Sequence, residues 1–292
     1  MDPANHVIQD ALKSFLAEDL GHGDITTEAL VDPRIMATGQ VTCNEPAVIA
    51  GLEEAETLLR MVGCDVVSRV RDGEKVPAKT IILQAKGPAH SLLEVERTLL
   101  NLLSHMSGVA TATAELVQLA NKSRPTLRVA CTRKTLPGLR YFEKRAVQLG
   151  GGDTHRLRLD DAILIKDNHL AIAGSLTDSI KRARTEASFT KKIEVEVTKP
   201  EDAIEAAEAG SDIILLDNMN PEAIRKAVTR LETKKLRSRV LLEASGGITK
   251  ENFSAYAKSG VDVISVGRIT HSVKSIDMSL ELSKSTGIRK PS

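Results

Sequence analysis

The sequence predicts an α/β fold in two parts, an α+β unit with a meandering sheet followed by an α/β barrel. Three observations support this. The first third of the chain mixes one helical segment with short strand-like runs. A long helical stretch then joins the two parts. From Leu127 onward, apolar runs of strand length alternate with helical patterns, and this rhythm is typical of βα repeats.

The N-terminal region covers residues 1–105. It opens with a predicted helix over about Ala4–Asp19 and a predicted loop, "GHGDITTEAL". A second helix is predicted over about Leu52–Met61. The strand-like runs around it are "TGQVTCNEPAVIAG", "DVVSRVRDGEKV" and "TIILQAKGP".

The connecting helix is the segment "SLLEVERTLLNLLSHMSGVATATAELVQLANKS". Leu93, Leu100 and Leu103 fall on one face of it, which favours an amphipathic helix. Because serine and glycine interrupt helical patterns, we expect Ser107-Gly108 to break or bend it.

Six apolar runs define the C-terminal region: "LRVACT", "AILIK", "IEVEV", "IILLD", "VLLEA" and "VISVG". They are continuous rather than alternating, and such strands are buried on both faces of a parallel sheet. Six units predict a closed or nearly closed α/β barrel, and an open doubly wound sheet is the alternative.

Three helices between these strands have clear start and stop signals. Their boundary residues are Pro200 and Gly210 for the first, Asn220 as N-cap with Pro221 for the second, and Thr249 and Gly260 for the third.

The composition argues against several classes of protein. A net charge of +1 and an aromatic content of 2% disfavour a nucleic-acid-binding surface, which relies on cations and on stacking platforms. Three cysteines without CxxC spacing indicate neither a disulfide framework nor a zinc site. The N-terminus lacks an apolar signal region, and no apolar run is long enough to span a membrane. We therefore expect a cytoplasmic protein.

Charged and glycine-rich groups follow the predicted strands. Catalytic groups of α/β barrels gather at the carboxyl ends of the strands, so these groups should share one opening. The cationic set is Arg133, Lys134, Lys166, His155 and Arg156. The acidic set is Glu196 and Asp217, with Glu194 and Glu243 as further candidates. Two glycine turns, "SGG" and "VGR", complete the groups.

Each set indicates a ligand. Cations without aromatic residues suit a small molecule with several carboxylates. The glycine turns can bind a phosphate through backbone N–H groups. Separated carboxylates beside a phosphate site suit Mg²⁺, which bridges protein acids and substrate oxygens.

Simpler interpretations exist for several of these residues. Any one of the cations, taken alone, is more often a solvated surface charge. Asp217 could instead cap the turn that follows it. Of Glu194 and Glu196, we expect only one to point into the barrel, and we favour Glu196. Other charges should be partly surface or locally paired: Arg140, Lys144 and Arg145 on a predicted helix, and Arg158 with Asp160 or Asp161.

At the level of motifs, the chain resembles the quinolinate phosphoribosyltransferase family over nearly its whole length. The similar segments, in order, are "EDLGHGDITTEAL", "ERTLLNLLSHMSGVAT", "CTRKTLPGLR", "KRAVQLGGGDTHRLRLDDAILIKDNH", "IEVEV", "ILLDN", "EASGGI" and "GVDVISVGRITHS".

The resemblance implies an N-terminal α/β sandwich domain, residues 1–105, and an incomplete TIM-like α/β barrel, residues 106–274, with the tail of about 275–292 returning to the first domain. It implies a homodimer or a dimer-based hexamer in which Arg97 is donated across the interface. The implied reaction joins quinolinate to 5-phosphoribosyl 1-pyrophosphate with decarboxylation, giving nicotinate mononucleotide, pyrophosphate and CO₂ in de novo NAD biosynthesis.

The resemblance also implies roles for individual residues. Lys134, Lys166, Glu196 and Asp217 would be catalytic, and Glu196 and Asp217 would hold Mg²⁺. The substrate-binding residues would be these four with Arg97, Thr132, Arg133, His155, Arg156, Ser245, Gly246, Gly247, Val266, Gly267 and Arg268.

Alternatives remain open at this level. The chain could be a related phosphoribosyltransferase for another aromatic acid, or a non-catalytic sensor of a phosphorylated ligand. An aldolase or isomerase using a Schiff-base lysine fits less well, because other cations surround Lys166.

Overall fold

The structure is a computed structural model that describes residues 3–285, and its packing divides into two compact units. One unit runs to Thr111 and resumes at Val273, and the other covers Ala112–Ser272. The sequence placed the division at residue 105. Residues 286–292 of the expected tail lie outside the described residues.

The first unit contains an antiparallel sheet with helices. Its sheet has the order β12-β1-β5-β3, and β2 and β4 form a separate pair. The elements are α1 (Pro3–Leu20), α2 (Ile25–Leu30), β1 (Met36–Cys43), β2 (Ala47–Val48), α3 (Leu52–Met61), β3 (Asp65–Ser68), β4 (Lys75–Val76), β5 (Thr80–Pro88), α4 (Ala89–Ser123) and β12 (Met278–Lys284).

The C-terminal strand β12 completes this sheet. It pairs antiparallel with β1, from Cys43 opposite Met278 to Ala37 opposite Lys284. The opposite edge of β1 pairs with β5. The chain therefore returns to its first unit after passing through the second.

The predicted loop after α1 contains the short helix α2. The Asp24 carboxylate accepts hydrogen bonds from the backbone N–H groups of Thr26 (3.0 Å) and Thr27 (3.1 Å). These are N–H groups that the first turn of a helix leaves without partners. The "GDITTEAL" segment thus carried a capping signal that the loop interpretation missed.

The expected break at Ser107-Gly108 does not occur, and α4 is continuous over 35 residues. Ser107 Oγ bonds the backbone N–H of Ala50 at 3.1 Å and its carbonyl at 3.3 Å. A Cβ on Gly108 would lie 2.3 Å from the Lys274 carbonyl oxygen. Both residues are small because other chain segments pack against the helix at this point, not because the helix ends there.

The second unit is a six-stranded sheet with helices between its strands. Its elements, after the end of α4, are β6 (Arg128–Ala130), α5 (Arg140–Leu149), β7 (Ile163–Ile165), α6 (Asp167–Ala173), α7 (Leu176–Glu186), β8 (Ile193–Val197), α8 (Pro200–Ala209), β9 (Ile213–Asp217), α9 (Pro221–Thr233), a 3₁₀ turn (Arg237–Arg239), β10 (Leu241–Ser245), α10 (Phe253–Ala257), β11 (Val263–Ser265) and α11 (Arg268–His271).

The strand order identifies an incomplete barrel. The sheet runs β6-β11-β10-β9-β8-β7, and every strand pair is parallel. This order is cyclic, with one opening between β6 and β7, whereas a doubly wound sheet reverses its order near the middle. The α/β fold class and the barrel interpretation are confirmed.

The boundary residues predicted for α8 and α9 agree with the structure, and those predicted for α10 do not. Asn220 caps α9 by accepting a hydrogen bond from Ala223 N at 2.9 Å, and Gly210 ends α8 in the left-handed conformation. The helix α10 begins at Phe253 rather than Thr249. The Asn252 side chain bonds Thr249 N and the Gly247 carbonyl, which holds this segment as a turn.

Aspartates immediately before two strands tie neighbouring strands together. Asp212 accepts a hydrogen bond from Ile193 N at 2.8 Å, and Asp262 accepts one from Leu242 N at 2.9 Å. Arg184 and Arg237 pair with these carboxylates at 2.7 Å and 2.8 Å respectively. The amino ends of the strands are thus fixed by charged hydrogen bonds, away from the carboxyl ends where the candidate site lies.

No helix in the part of the chain that the structure describes has the length and apolarity needed to cross a membrane. Cys43, Cys64 and Cys131 are all buried and unpaired.

Candidate functional site

A cavity of about 430 Å³ opens at the carboxyl ends of the barrel strands. This volume lies within the usual range for small-molecule sites. Most of the lining consists of the predicted polar residues, and Leu164 and Leu215 add apolar surface. The lining residues are Thr132, Arg133, Lys134, His155, Arg156, Leu164, Lys166, Glu196, Leu215, Asp217, Asn218, Glu243, Ser245, Gly246 and Gly247.

The cations of the cavity differ in how they are held. Lys166 Nζ lies 3.0 Å from a Glu196 carboxylate oxygen. Arg156 Nη1 donates to the Ala162 carbonyl at 3.2 Å. Arg133 Nε is buried and has no hydrogen-bond partner. A buried donor without a partner is costly, so the Arg133 guanidinium is suited to a carboxylate ligand.

The glycine run before His155 allows a close turn. Gly151 has a φ of 84°, a conformation that favours glycine. A Cβ on Gly152 would lie 2.7 Å from Thr113 Cγ2 and 2.9 Å from Val147 Cγ1. The chain then forms a parallel bridge between Asp153 and Ala130 of β6. The glycines therefore bring the next residues to the barrel opening.

His155 adopts a left-handed backbone conformation, with a φ of 51°. For a residue other than glycine this conformation costs roughly 1–3 kcal/mol and needs support from its surroundings. Asp153 Oδ1 accepts a hydrogen bond from His155 N at 2.8 Å. The chain turns sharply at residues 154–156, and this corner directs the imidazole of His155 inward, towards two carboxylates.

These carboxylates belong to Glu194 and Glu243. His155 Nε2 lies 3.3 Å from Glu194 and 3.4 Å from Glu243. Burial lowers the pKa of His155, but the two carboxylates outweigh it and raise the pKa to about 10. The backbone N–H of Arg156 lies 2.7 Å from Nδ1 and favours a neutral ring. In both protonation states Nε2 carries the hydrogen that faces the glutamates, so the ring orientation is the same.

Glu194 and Glu196 both point into the barrel, which corrects the expectation that only one does. Residues two apart on a strand lie on the same face. Glu194 is deeper, at 1% exposure, and contacts His155, whereas Glu196 lies nearer the opening and pairs with Lys166. Burial raises the pKa of Glu194. The spacing in "IEVEV" could have revealed this pair.

Lys144 is buried, at 1% exposure, which corrects the expectation of a partly surface side chain. Its Nζ donates to the carbonyls of Thr154 and Arg156, the latter at 2.9 Å, and approaches Cys131 Sγ at 3.6 Å. Burial lowers its pKa. No simple sequence signal separates it from its half-buried neighbours Arg140 and Arg145.

Asp217 lines the cavity and is not the helix cap, because that role belongs to Asn220. Its Oδ2 accepts a hydrogen bond from Asn218 Nδ2 at 2.6 Å. A Cβ on Gly246 would lie 2.3 Å from Asn218 Oδ1, so the "SGG" turn packs directly against Asn218. Sequence reasoning missed Asn218, whose positive φ of 52° follows the strand end.

Some predicted residues are not part of the cavity lining. Val266 is buried, and Arg268 is exposed at the start of α11. Gly267 lies close to Lys134, since a Cβ there would be 3.2 Å from Lys134 Cδ. Arg97 is exposed on α4, in the part of that helix that belongs to the first unit. Arg158 pairs with Asp160 at 3.5 Å.

Two carboxylates of the lining fit a magnesium ion by their chemistry. Mg²⁺ prefers oxygen ligands and commonly takes one or two carboxylates with the remaining positions filled by substrate oxygens and water. Glu196 and Asp217 supply such oxygens on the strands β8 and β9, which are neighbours in the sheet. His155, Glu194 and Glu243 also approach each other within 4.8 Å, but an imidazole ligand suits Mg²⁺ poorly.

Comparison with known proteins gives consistent matches along the chain. The model of the quinolinate phosphoribosyl transferase C-terminal domain matches residues 109–281, and that of the N-terminal domain matches residues 24–107. A relative from Methanothermobacter thermautotrophicus, "Probable nicotinate-nucleotide pyrophosphorylase (carboxylating)", is 48% identical over 94% of this chain and 99% of its own.

Two further matches agree. The nicotinate-nucleotide pyrophosphorylase (carboxylating) of Mycobacterium leprae is 42% identical over 94% of this chain and 96% of its own. The crystal structure of NadC from Streptococcus pyogenes is 38% identical, covers 97% of this chain and 99% of its own, and superposes with a TM-score of 0.89.

Proposed function

Since the chain belongs to the quinolinate phosphoribosyltransferase family, we propose that it transfers the phosphoribosyl group of 5-phosphoribosyl 1-pyrophosphate to quinolinate with loss of CO₂. The products are nicotinate mononucleotide and pyrophosphate, a step of NAD biosynthesis. One observation of the site carries this proposal: the buried Arg133 Nε without a partner, in a cavity that four other cationic residues line.

Quinolinate has two adjacent carboxylates and meets a highly anionic donor. Like charges repel strongly in a cleft of low dielectric constant, so a site for both substrates needs cations. Arg133, Arg156 and Lys166 are the groups that neutralise the acid, and arginine does so with paired hydrogen bonds. His155 Nε2 already faces Glu194 and Glu243, so the imidazole adds positive charge to the lining when it is protonated and does not offer this nitrogen to the acid.

The donor is assigned to the glycine turns and carboxylates of the lining. The turn Ser245–Gly247 offers backbone N–H groups to the 5′-phosphate, and Val266–Arg268 extend this region. Lys134, which follows Arg133 in the loop after β6, belongs with the cations that neutralise the acid. Glu196 and Asp217 would hold Mg²⁺, which would stabilise the negative charge of the leaving group.

The reaction proceeds from this arrangement. The pyridine nitrogen attacks C1 of the ribose as the bond to pyrophosphate breaks, through a transition state with positive charge on the sugar ring. A carboxylate of the lining, Glu196 or Asp217, stabilises this charge and orients the ribose hydroxyls. The positive charge of the resulting pyridinium stabilises the in-plane electron pair that stays on ring carbon 2 when the 2-carboxylate leaves as CO₂. A proton then adds to that carbon. The attacking nitrogen carries no proton, so it requires no general base.

The functional unit is a homodimer or a dimer-based hexamer. Arg97 of the partner subunit completes the site, in line with its exposure on α4. The protein acts in the cytoplasm.

Product analysis tests the proposed function. Purified protein is incubated with the donor, Mg²⁺ and either quinolinate or nicotinate, and nicotinate mononucleotide, CO₂ and pyrophosphate are measured. We expect all three products with quinolinate and a loss of turnover with EDTA that added Mg²⁺ restores. Turnover of nicotinate in preference to quinolinate, or binding without pyrophosphate release, would contradict the proposal.

A further inference from the structure

We propose that Lys144 is a positioning residue for quinolinate binding, because it holds the chain corner that presents His155 and Arg156 to the cavity. This inference rests on the proposed function and adds a residue that does not line the cavity itself. Lys144 is 1% exposed, and a lysine is rarely buried to this extent unless its charge has partners.

The partners of Lys144 account for all three of its N–H donors. Two are the carbonyl oxygens of Thr154 and Arg156, and the third is Cys131 Sγ. The two carbonyls flank His155 on either side. One ammonium group thus ties together the residues before and after the left-handed corner.

The backbone conformation of this corner requires stabilising contacts from its surroundings. His155 has a φ of 51°, which is unfavourable for a side chain with a Cβ. Glu194 and Glu243 hold the imidazole from the barrel interior, and Lys144 holds the backbone from α5. Without the lysine, the carbonyls of Thr154 and Arg156 would lose their buried donor, and the corner would be free to relax.

Relaxation of the corner would affect one substrate more than the other. His155 and Arg156 belong to the cationic part of the lining, whereas the proposed donor site is the Ser245–Gly247 turn on another strand. We therefore expect a change in the quinolinate KM with little change in the KM of the donor. A merely structural role would lower the amount of active enzyme and leave both KM values unchanged.

The experiment compares Lys144→Met with wild type in steady-state kinetics for both substrates. Lys144→Met should raise the quinolinate KM about tenfold, the loss expected for charged hydrogen bonds, and leave the donor KM within about twofold. Lys226→Met, at an exposed lysine of α9, is the matched control and should match wild type. Equal changes in the two KM values, or no change in either, would overturn the inference.

The same substitution in a His155→Gly variant tests whether Lys144 acts through the corner. His155→Gly accepts a positive φ without strain, so Lys144→Met should raise the quinolinate KM less there than in wild type. An equal increase in both backgrounds would mean that Lys144 does not act through the corner. If Lys144→Met does not fold, Lys144→Gln, which keeps two N–H donors, allows the same comparison.

The outcome separates this inference from the proposed function. Turnover of quinolinate by the wild-type protein tests the proposed function. The ratio of the KM values of variant and wild type tests the role of Lys144, so either can fail while the other holds.

Discussion

At the scale of single residues, the cations of the candidate site differ in how far protein groups already bind them. Lys166 pairs with Glu196, and Arg156 bonds a backbone carbonyl. Arg133 has a buried Nε without a partner. The free energy that a ligand gains from a guanidinium is greatest where no protein group competes for it. Arg133 should therefore dominate recognition of the acid.

Arg133→Ala should raise the quinolinate KM roughly tenfold to a hundredfold, since a hydrogen bond to a charged group contributes about 1.5–3 kcal/mol. Steady-state kinetics measures this. Arg225→Ala, an exposed arginine on α9, serves as the control and should leave KM unchanged. Wild-type kinetics for Arg133→Ala would remove this residue from the acid-binding pocket.

At the scale of secondary-structure elements, charged hydrogen bonds fix the strand starts. The backbone N–H of Ile193 and the guanidinium of Arg184 both bond Asp212. Burial raises the pKa of Asp212, but these partners outweigh it, and the pKa lies below its ordinary value of 3.8. A carboxyl with a lowered pKa stabilises the fold above its unfolded pKa, and this contribution is lost as the pH falls through the folded value.

Asp212→Asn should lower the free energy of unfolding at pH 7 by about 1–3 kcal/mol. The difference from wild type should begin to shrink when the pH falls below about 4, because the carboxyl of the unfolded wild-type chain then becomes protonated, and it should be lost as the pH passes through the lowered pKa of the folded carboxyl. Urea unfolding at pH 7 and pH 3 measures both values. Glu232→Gln, on the exposed face of α9, is the control. A difference that does not depend on pH would contradict the ionic role of Asp212.

The helix α4 gives a second prediction at this scale. Gly108→Ala would normally stabilise a helix by about 1 kcal/mol, but its Cβ would lie 2.3 Å from the Lys274 carbonyl oxygen. Overpacking of this kind costs about 1–3 kcal/mol, so we expect a lower melting temperature. Gln118→Ala, an exposed position on the same helix, should not lower it. A higher melting temperature for Gly108→Ala would show that the segment at Lys274 moves freely aside.

At the scale of the whole molecule, the chain passes from its first compact unit to the second and back. Residues between 133 and 166 of one subunit supply the cationic lining, and the proposed assembly adds Arg97 from a partner. Arg97 is exposed on α4, where a partner can reach it. Shared sites of this kind make activity depend on the pairing of subunits.

Arg97→Ala and Lys166→Ala should each be inactive alone, because each removes one part of every site. After mixing and subunit exchange, a heterodimer has one site with both residues intact, so partial activity should return. Mass spectrometry of differently labelled subunits confirms the exchange. Arg97→Ala mixed with itself is the control. Confirmed exchange without recovery of activity would contradict the shared site.

The sequence by itself determined the α/β class, the six parallel strands and most of the polar lining, because apolar periodicity, helix caps and strand-end residues are local signals. It could not determine that Ser107-Gly108 lies within an unbroken helix, since the segment packed there is distant in the chain. Nor could it reveal that Lys144 is buried beside the backbone of His155, or that Glu194 contacts the imidazole. Burial of a charge depends on which partners the fold brings to it, and only the tertiary structure decides that.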